Sequence, residues 1–424
     1  MKDPARNIRT SENHRADLRV CLVEFLGRGG LIHYAYQFCS GLADQGISAE
    51  LITDTNYELD SRPHNFRVTK LWSLWDPRPS GAVSPENRSV QLVRRAARGA
   101  AYYKAWASLI RYLRKTRPDV VQFGDIRFAA DLIPLTVLRL SGIRLADVCH
   151  NVVPFDTTGS TQVLRRSRRT SNIFRMIYSR FSLIFVHSEI NRQMFIDTYG
   201  SRARIEVIPH GNESIFRTSS DKIIPAVAER FGIRADSPVV LFFGNLSKYK
   251  GIEDLIASFT QVASAVPDAR LIIAGYPNPD VNVEELEKLA SRLGLGDSVL
   301  IYPRYVPMEE VSAFFALARV VALPYRMIFQ SGALQIAYSF GKPVVATAVG
   351  GLNEAVEDGV TGLLVPPGDH TAFADALITI LTDETLAGRM GERAKLLSET
   401  KYSWDNVARI AAAAYRSVCK AAQN

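Results

Sequence analysis

The stretch from Ala322 to Asp369, ALPYRMIFQSGALQIAYSFGKPVVATAVGGLNEAVEDGVTGLLVPPGD, decides the fold. It begins inside one short apolar run, Val320 to Leu323, and passes through two more, Val344 to Ala346 and Leu363 to Val365. Gln330-Ser331-Gly332 opens a helical stretch between the first two, with Ser331 suited to cap it, and Gly341-Lys342-Pro343 closes it. Val349-Gly350-Gly351 turns the chain after the next run. Apolar runs without polar alternation, separated by helix and turn, are the pattern of parallel strands covered on both faces.

Upstream the same rhythm holds. Val239 to Phe243, Leu271 to Ala274 and Val299 to Tyr302 complete a set of six strands. An earlier set of six is predicted at Arg19 to Glu24, Ile47 to Thr53, Asp119 to Phe123, Ala146 to His150, Leu183 to Val186 and Ile205 to Ile208. The patterning weakens between Glu213 and Ser237. The fold class is therefore α/β, with two Rossmann-like, doubly wound units. The expected organisation is a polar tail (1–17), a first domain (18–212), a linker (213–237), a second domain (238–402) and a C-terminal helix (403–424).

Length and composition agree. A chain of 424 residues exceeds one compact core, and at about 150 residues per domain it holds two or three. With 47% hydrophobic and 22% charged residues it is neither disordered nor fibrous. Cys21, Cys39, Cys149 and Cys419 form no CxxC pair, which excludes a disulfide scaffold and a structural zinc site and suits a reducing compartment. No apolar run reaches the ~18 residues that span a bilayer. The best, Ala129 to Ile143, contains Asp131 and Arg139. The N-terminus lacks the apolar stretch of a signal peptide, so a cytoplasmic location is expected.

Charge is unevenly placed. The net charge is +8, but residues 1–212 hold 31 basic and 19 acidic side chains while the remainder is mildly anionic. Leu92 to Pro118 carries eight basic residues and no acid, with Tyr102, Trp106, Leu109 and Leu113 at helical spacing. Thr157 to Ser188 carries six arginines and no acid. Basic residues interleaved with aromatics on an amphipathic helix suit an anionic lipid surface. Candidates to face it are Arg94, Arg95, Arg98, Lys104, Trp106, Arg165, Arg166, Arg168 and Arg169. The competing reading is a solvated helix whose apolar stripe packs on its own domain. No nucleic-acid motif accompanies the charge, so nucleic acid is not the expected partner.

Several loops suit phosphate. GNLSKYKG, Gly244 to Gly251, follows a strand and precedes a helix. Lys248 and Lys250 could neutralise a diphosphate there, and the helix start offers free N–H groups. Gln330 to Gly332 is a second such helix start. Gly27-Arg28-Gly29-Gly30 is a third glycine-rich loop, a weak version of a dinucleotide fingerprint, with Asp54 near the position of the acidic ribose partner. His150 ends a strand at the carboxyl edge, where it is either structural or catalytic. Metal-ligand clusters, GxSxG elbows and Walker P-loops are absent from the sequence.

In this order, LFFGNLSKYKGIEDLI, LIIAG, YVPMEEV, the stretch quoted first, VHSE and VIPHGN resemble the retaining GT-B glycosyltransferases of family 4. The resemblance runs from about Arg19 to Ala421. It implies two domains facing across a cleft, with the C-terminal helix crossing back to the N-terminal domain. It also implies no metal or other cofactor, only a UDP- or GDP-linked sugar donor as co-substrate in the second domain. The acceptor would lie in the first. Carried over residue by residue, it gives catalytic roles to His150, beside the donor sugar, and Lys250, on the diphosphate. Donor contacts fall on Gly244, Asn245, Lys248, Tyr305, Val306, Gln330, Ser331, Gly332, Ala333 and Leu334. Gly29 and Gly30 form the loop that approaches phosphate and acceptor.

The sequence departs from the family in one respect. Most members carry two glutamates whose positions here are Ile328 and Ile336, neither of which can bind a hydroxyl. Gln330 and Ser331, or Glu309 or Glu354, are the candidates to replace them. Taken with the cationic first half, the resemblance implies transfer to a lipid-diphosphate-linked saccharide at the inner membrane face, in exopolysaccharide or lipopolysaccharide synthesis. The alternative is a catalytically silent GT-B domain that binds a glycan or partner. A nicotinamide oxidoreductase rests on the glycine loop alone.

Overall fold

The structure, a computed structural model, describes residues 18–74, 88–124, 126, 128–153, 168–200, 202–217, 223–234 and 237–421. The elements of the first half are β1 (Arg19–Val23), α1 (Gly30–Asp44), β2 (Ser48–Asp54), β3 (Arg67–Trp72), α2 (Arg88–Thr116), β4 (Val120–Phe123), α3 (Leu132–Leu140), β5 (Arg144–Val148), α4 (Arg168–Tyr178), β6 (Leu183–Val186), α5 (Glu189–Tyr199) and β7 (Arg204–Val207). After α6 (Ile223–Arg230) come β8 (Val239–Phe243), α7 (Ile252–Ala265), β9 (Arg270–Ala274), α8 (Val283–Arg292), β10 (Val299–Tyr302), α9 (Met308–Leu317), β11 (Val320–Leu323), α10 (Gly332–Ser339), β12 (Val344–Thr347), α11 (Leu352–Ala355) and β13 (Gly362–Val365). Three helices close the chain: α12 (His370–Thr382), α13 (Glu384–Glu399) and α14 (Trp404–Lys420).

Two parallel sheets result, in the orders β3-β2-β1-β4-β5-β6-β7 and β10-β9-β8-β11-β12-β13. Their central strands are buried along their length, as the apolar runs require. The first sheet has seven strands where the sequence predicted six. The unpredicted strand is β3, RVTKLW, an edge strand whose charged residues stay in water and so hide its pattern. The segment expected as a linker contains α6, which lies against α9 of the second half.

The C-terminal helix α14 crosses back and lies on α1 and β6 of the first half. Buried Tyr415 donates to Gln122 and meets Phe185 edge-on at 5.5 Å. At its other end the Trp404 indole N–H donates to the Asn212 carbonyl at 2.8 Å.

The basic helices differ from the sequence expectation at one residue. Trp106 does not face outward: it is 2% exposed and its indole N–H donates to buried Asp131 at 3.2 Å. Its ring is too large to leave in water when an apolar sheet face needs covering. Arg94, Arg95, Arg98 and Lys104 of α2 are exposed. Arg165 and Arg166 lie outside the described residues, and Arg168 and Arg169 open α4.

Candidate active site

In a doubly wound sheet, ligands sit beyond the carboxyl ends of the strands, where the strand order reverses. The reversals here fall between β1 and β4 and between β8 and β11. Loops from both edges converge on one cleft of about 420 Å³. Gly29, Gly30 and His33 line it from the first half, and Glu213 and Phe216 from the crossing between the sheets. The second half contributes Gly244, Asn245, Tyr249 and Lys250 after β8, Tyr276 and Asn278 after β9, and Tyr305 and Val306 after β10. Tyr325, Ile328 and Gln330 follow β11, and Ser331, Gly332, Ala333 and Ile336 belong to the start of α10.

Lys250 dominates the electrostatics. It is 9% exposed, and its ammonium lies 5.7 Å from the ring centre of Tyr325 and 5.9 Å from that of Phe242. No carboxylate pairs with it among the described residues. Burial alone pushes its pKa down to about 8. At neutral pH it therefore remains charged, and a buried charge without a counter-ion is unfavourable until an anion arrives. Gly244 permits the approach: its backbone is left-handed (φ 110°), and a side chain there would come within 3.2 Å of the ammonium.

The start of α10 adds donors. Ser331 caps it, its Oγ accepting the Leu334 N–H at 3.2 Å. The N–H groups of Gly332 and Ala333 lack an intrahelical partner, and the helix dipole is positive at this end. The segment Ile328 to Gln330 leading into α10 rests on Gly350 and Gly351, where a Cβ would collide with the carbonyl oxygens of Ile328 and Phe329. The Val349-Gly350-Gly351 turn is thus a seat for the cleft wall.

His150 stands one residue back from the cleft. It is buried against Gln330, whose Nε2 lies 2.8 Å from its Nδ1, and His187 Nε2 approaches the same nitrogen at 3.2 Å. His187 Nδ1 faces the Ile208 carbonyl, an acceptor only, so that nitrogen carries the proton. Burial holds His187 neutral, its pKa down to about 3, and its Nε2 is then an acceptor toward His150 Nδ1–H. The Gln330 amide fits this pattern with its oxygen, not its nitrogen, toward His150. His210, lowered to about 4 by burial, and Tyr34 pack against the pair at 5.2 and 5.9 Å from His187.

Other expected residues lie elsewhere. Lys248 is exposed and off the cleft wall, its backbone N–H held by Asp280. Leu334 of α10 is buried and lines a second cavity of about 310 Å³ behind Gln330 and Ser331. Glu354 lines that cavity too and accepts the N–H groups of Glu189 and Ile190, joining the two halves. Glu309 is exposed and lines neither cavity. Ile328 and Ile336 form apolar cleft wall. Asp54 is buried and holds the N–H groups of Asn56 and Leu74, so it is spent on the backbone.

The sequence reading missed Tyr249, Tyr276, Asn278, Tyr325, His33, Phe216 and Glu213. Tyr276 and Asn278 follow Gly275 at a strand end, a signal that could have found them. Glu213 had none. Gly29 accepts the first helical N–H groups of α1, and its own N–H donates to Glu58 at 2.6 Å. No group of three or more His, Cys, Asp or Glu side chains among the described residues could hold a metal ion.

Residues 28–213 match the family described as Glycosyltransferase Family 4, and residues 224–397 match Glycosyl transferases group 1. A D-inositol 3-phosphate glycosyltransferase of Mycolicibacterium paratuberculosis is 30% identical over 398 residues, 92% of this chain and 85% of that protein. Its counterpart in Kribbella flavida is 34% identical over 290 residues, and the match spans 66% of this chain but only 64% of that protein's own length. Against other curated relatives the chain spans about half of their length. The fold of HepE from Anabaena, solved with UDP-glucose, superposes with a TM-score of 0.69 at 19% identity, over 94% of this chain and all of that one.

Proposed function

This chain belongs to glycosyltransferase family 4, and on that premise we propose that it moves a sugar from a UDP- or GDP-linked donor to a saccharide acceptor, with retention and without a metal. The observation that carries this reading is Lys250, a buried cation without a counter-ion among the described residues, in one cleft with the open end of α10. A donor diphosphate would supply the missing charge. As the bond from the sugar's anomeric carbon to the phosphate oxygen breaks, negative charge grows on that phosphate. Lys250 and the Gly332 and Ala333 amides are already in place to stabilise it. The acceptor oxygen bonds to the same carbon, and its proton goes to the departing phosphate oxygen. Glu213 is the single carboxyl among the described residues lining the cleft, and burial keeps it largely protonated near neutral pH, which makes it a poor nucleophile. Relatives named as glycosyltransferases, and a structural neighbour solved with UDP-glucose, support the donor class.

For the acceptor we propose a lipid-diphosphate-linked saccharide at an anionic membrane surface, in exopolysaccharide or lipopolysaccharide synthesis. Six of the ten large apolar side chains exposed among the described residues support the surface: Val93, Tyr103, Phe128, Ile133, Leu140 and Met176. They lie on or beside α2, α3 and α4, which pack side by side, and exposed Arg98, Lys104, Arg111, Arg139 and Arg175 flank them. Ile133 and Leu140, seven residues apart on one face of α3, are 69% and 83% exposed. No helix among the described residues is long and apolar enough to cross a membrane.

Two assays test the reading. Donor binding by calorimetry, with UDP, GDP and their glucose conjugates, should fall at least tenfold in Lys250→Ala; unchanged binding refutes the diphosphate site. Flotation with phosphatidylglycerol vesicles should recover the protein and phosphatidylcholine vesicles should not; equal recovery refutes the anionic surface. The apolar wall at Ile328 and Ile336 favours a second reading, a binding module without turnover. Hydrolysis or transfer of the bound donor by the purified protein rules it out.

A further inference from the structure

We infer that Glu213 is the hydroxyl-binding group of the cleft, holding a vicinal diol of the ring attached to the bound diphosphate. The inference rests on the donor reading above and deepens it. Three observations carry it.

The first is location. Glu213 is 5% exposed, lies where the chain crosses between the two sheets, and lines the cleft. Its backbone N–H donates to Ser339 Oγ of α10 at 3.1 Å. Ser339 and the cleft residue Ile336 lie seven and four residues after Gly332, so about 6 to 10 Å along α10 from the open amides. A ring joined to a diphosphate at those amides would carry its hydroxyls into this range.

The second is orientation. Gln37 of α1 fixes the carboxyl: its Oε1 accepts the Ile215 N–H at 3.3 Å, which leaves its Nε2–H to donate to Glu213 Oε2 at 3.2 Å. Gln37 is the one side chain among the described residues that hydrogen-bonds the Glu213 carboxyl, and it does so at Oε2, not Oε1. With Oε2 engaged as an acceptor, the acidic proton of the neutral group sits on Oε1. That atom offers a ligand hydroxyl both a donor and an acceptor.

The third is composition. Ile328 and Ile336 present only apolar surface to the cleft, and Glu213 is the one carboxyl among the described residues that line it. Burial raises its pKa to about 8, so the neutral, donating form prevails at neutral pH. A polar group built into an apolar wall discriminates strongly between a ligand that has the matching hydroxyl and one that lacks it.

The diol has two sources, the nucleoside's ribose and the transferred sugar, and calorimetry separates them. Wild type, Glu213→Gln, Glu213→Ala and Lys250→Ala are titrated at pH 7 with UDP, GDP, their 2′,3′-dideoxy analogues and their glucose conjugates. If ribose is held, Glu213→Ala weakens the ribonucleotide at least tenfold and leaves the dideoxy analogue within twofold. If the sugar is held, Glu213→Ala leaves the diphosphates unchanged and weakens the conjugate at least tenfold. In either case Glu213→Gln, which keeps a neutral donor and acceptor, stays within about threefold of wild type. Glu213→Met replaces the alanine variant should the latter fail to fold. Every ligand within twofold of wild type in Glu213→Ala, with binding still lost in Lys250→Ala, overturns this inference alone. A wild-type protein that binds none of the ligands overturns the donor reading with it.

Discussion

Replacing Lys250 by methionine should strengthen the empty protein while abolishing its response to donor. The lysine ammonium sits among Phe242 and Tyr325 with no carboxylate paired to it among the described residues, and burial lowers its pKa from 10.5 to about 8. At pH 7 the folded and unfolded chains both hold it protonated, so folding bears the full difference, about 3 kcal/mol. The sign follows from proton counts. Between about 8 and 10.5 the unfolded chain binds more protons than the folded one, so this penalty is complete below pH 8 and fades as pH rises. At pH 9.5 less than half of it remains. Methionine keeps an unbranched apolar chain in the same space, so Lys250→Met should recover about 1 to 3 kcal/mol at neutral pH, less whatever its packing forfeits. Differential scanning calorimetry at pH 7 and 9.5, with and without millimolar UDP and GDP, reads both halves. The unliganded variant should melt several degrees above wild type at pH 7, the gap should narrow by half at pH 9.5, and nucleotide should shift wild type alone. A variant that melts lower than wild type when empty and still gains stability from nucleotide would refute the picture of a buried cation awaiting its anion.

Glu213 provides the converse experiment: its pKa rises from 4.5 to about 8 through burial, so its contribution is intact below about pH 4.5 and lost as pH climbs through 8. With Tyr34 and Gln37 of α1 and Ser339 of α10 packed around it, Glu213→Gln should gain roughly 3 kcal/mol on wild type between pH 5.5 and 8.5, read as diverging melting temperatures. Gly350→Ala forces a methyl group, at a left-handed backbone position (φ 47°), against the Ile328 carbonyl. It should displace Gln330 and weaken donor binding at least tenfold in a protein whose circular dichroism is unchanged. Trp404→Ala removes the indole that bonds Asn212 and packs on Tyr34 and Phe38, and should lower stability by about 3 kcal/mol in denaturant titration. Leu140→Asp places a charge on the exposed face of α3; it should reduce recovery with phosphatidylglycerol vesicles and leave the melting temperature within a degree.

Much of this architecture was open to a reader of the residues. The runs at Val320 and Val344 are apolar from Val320 to Leu323 and from Val344 to Ala346, as suits strands covered on both faces. The loops that matter follow β8 and β11, so Gly244, Lys250, Gln330 and Gly332 could be singled out by position alone. Strand β3 escaped because an edge strand keeps its charges in water. Lys248 and Lys250, two positions apart in a short helical turn, are both candidates for the diphosphate by residue type alone. Folding turns one into solvent and buries the other between two aromatic rings. Trp106 looked like a membrane-facing aromatic because a helical stripe does not reveal which surface covers it.

Local pattern, then, fixed most of the strands and helices, their order, the two-sheet architecture and the glycine-rich turns, because periodicity and turn chemistry are properties of neighbours in the chain. What the chain order could not contain is the meeting of residues far apart in it. Glu213 reaches Gln37 across 176 positions, Gln330 reaches His150 across 180, and Glu354 reaches the start of α5 across 165. Those contacts depend on how two sheets are set against each other, and only that packing decides which cation loses its water and which carboxyl keeps its proton.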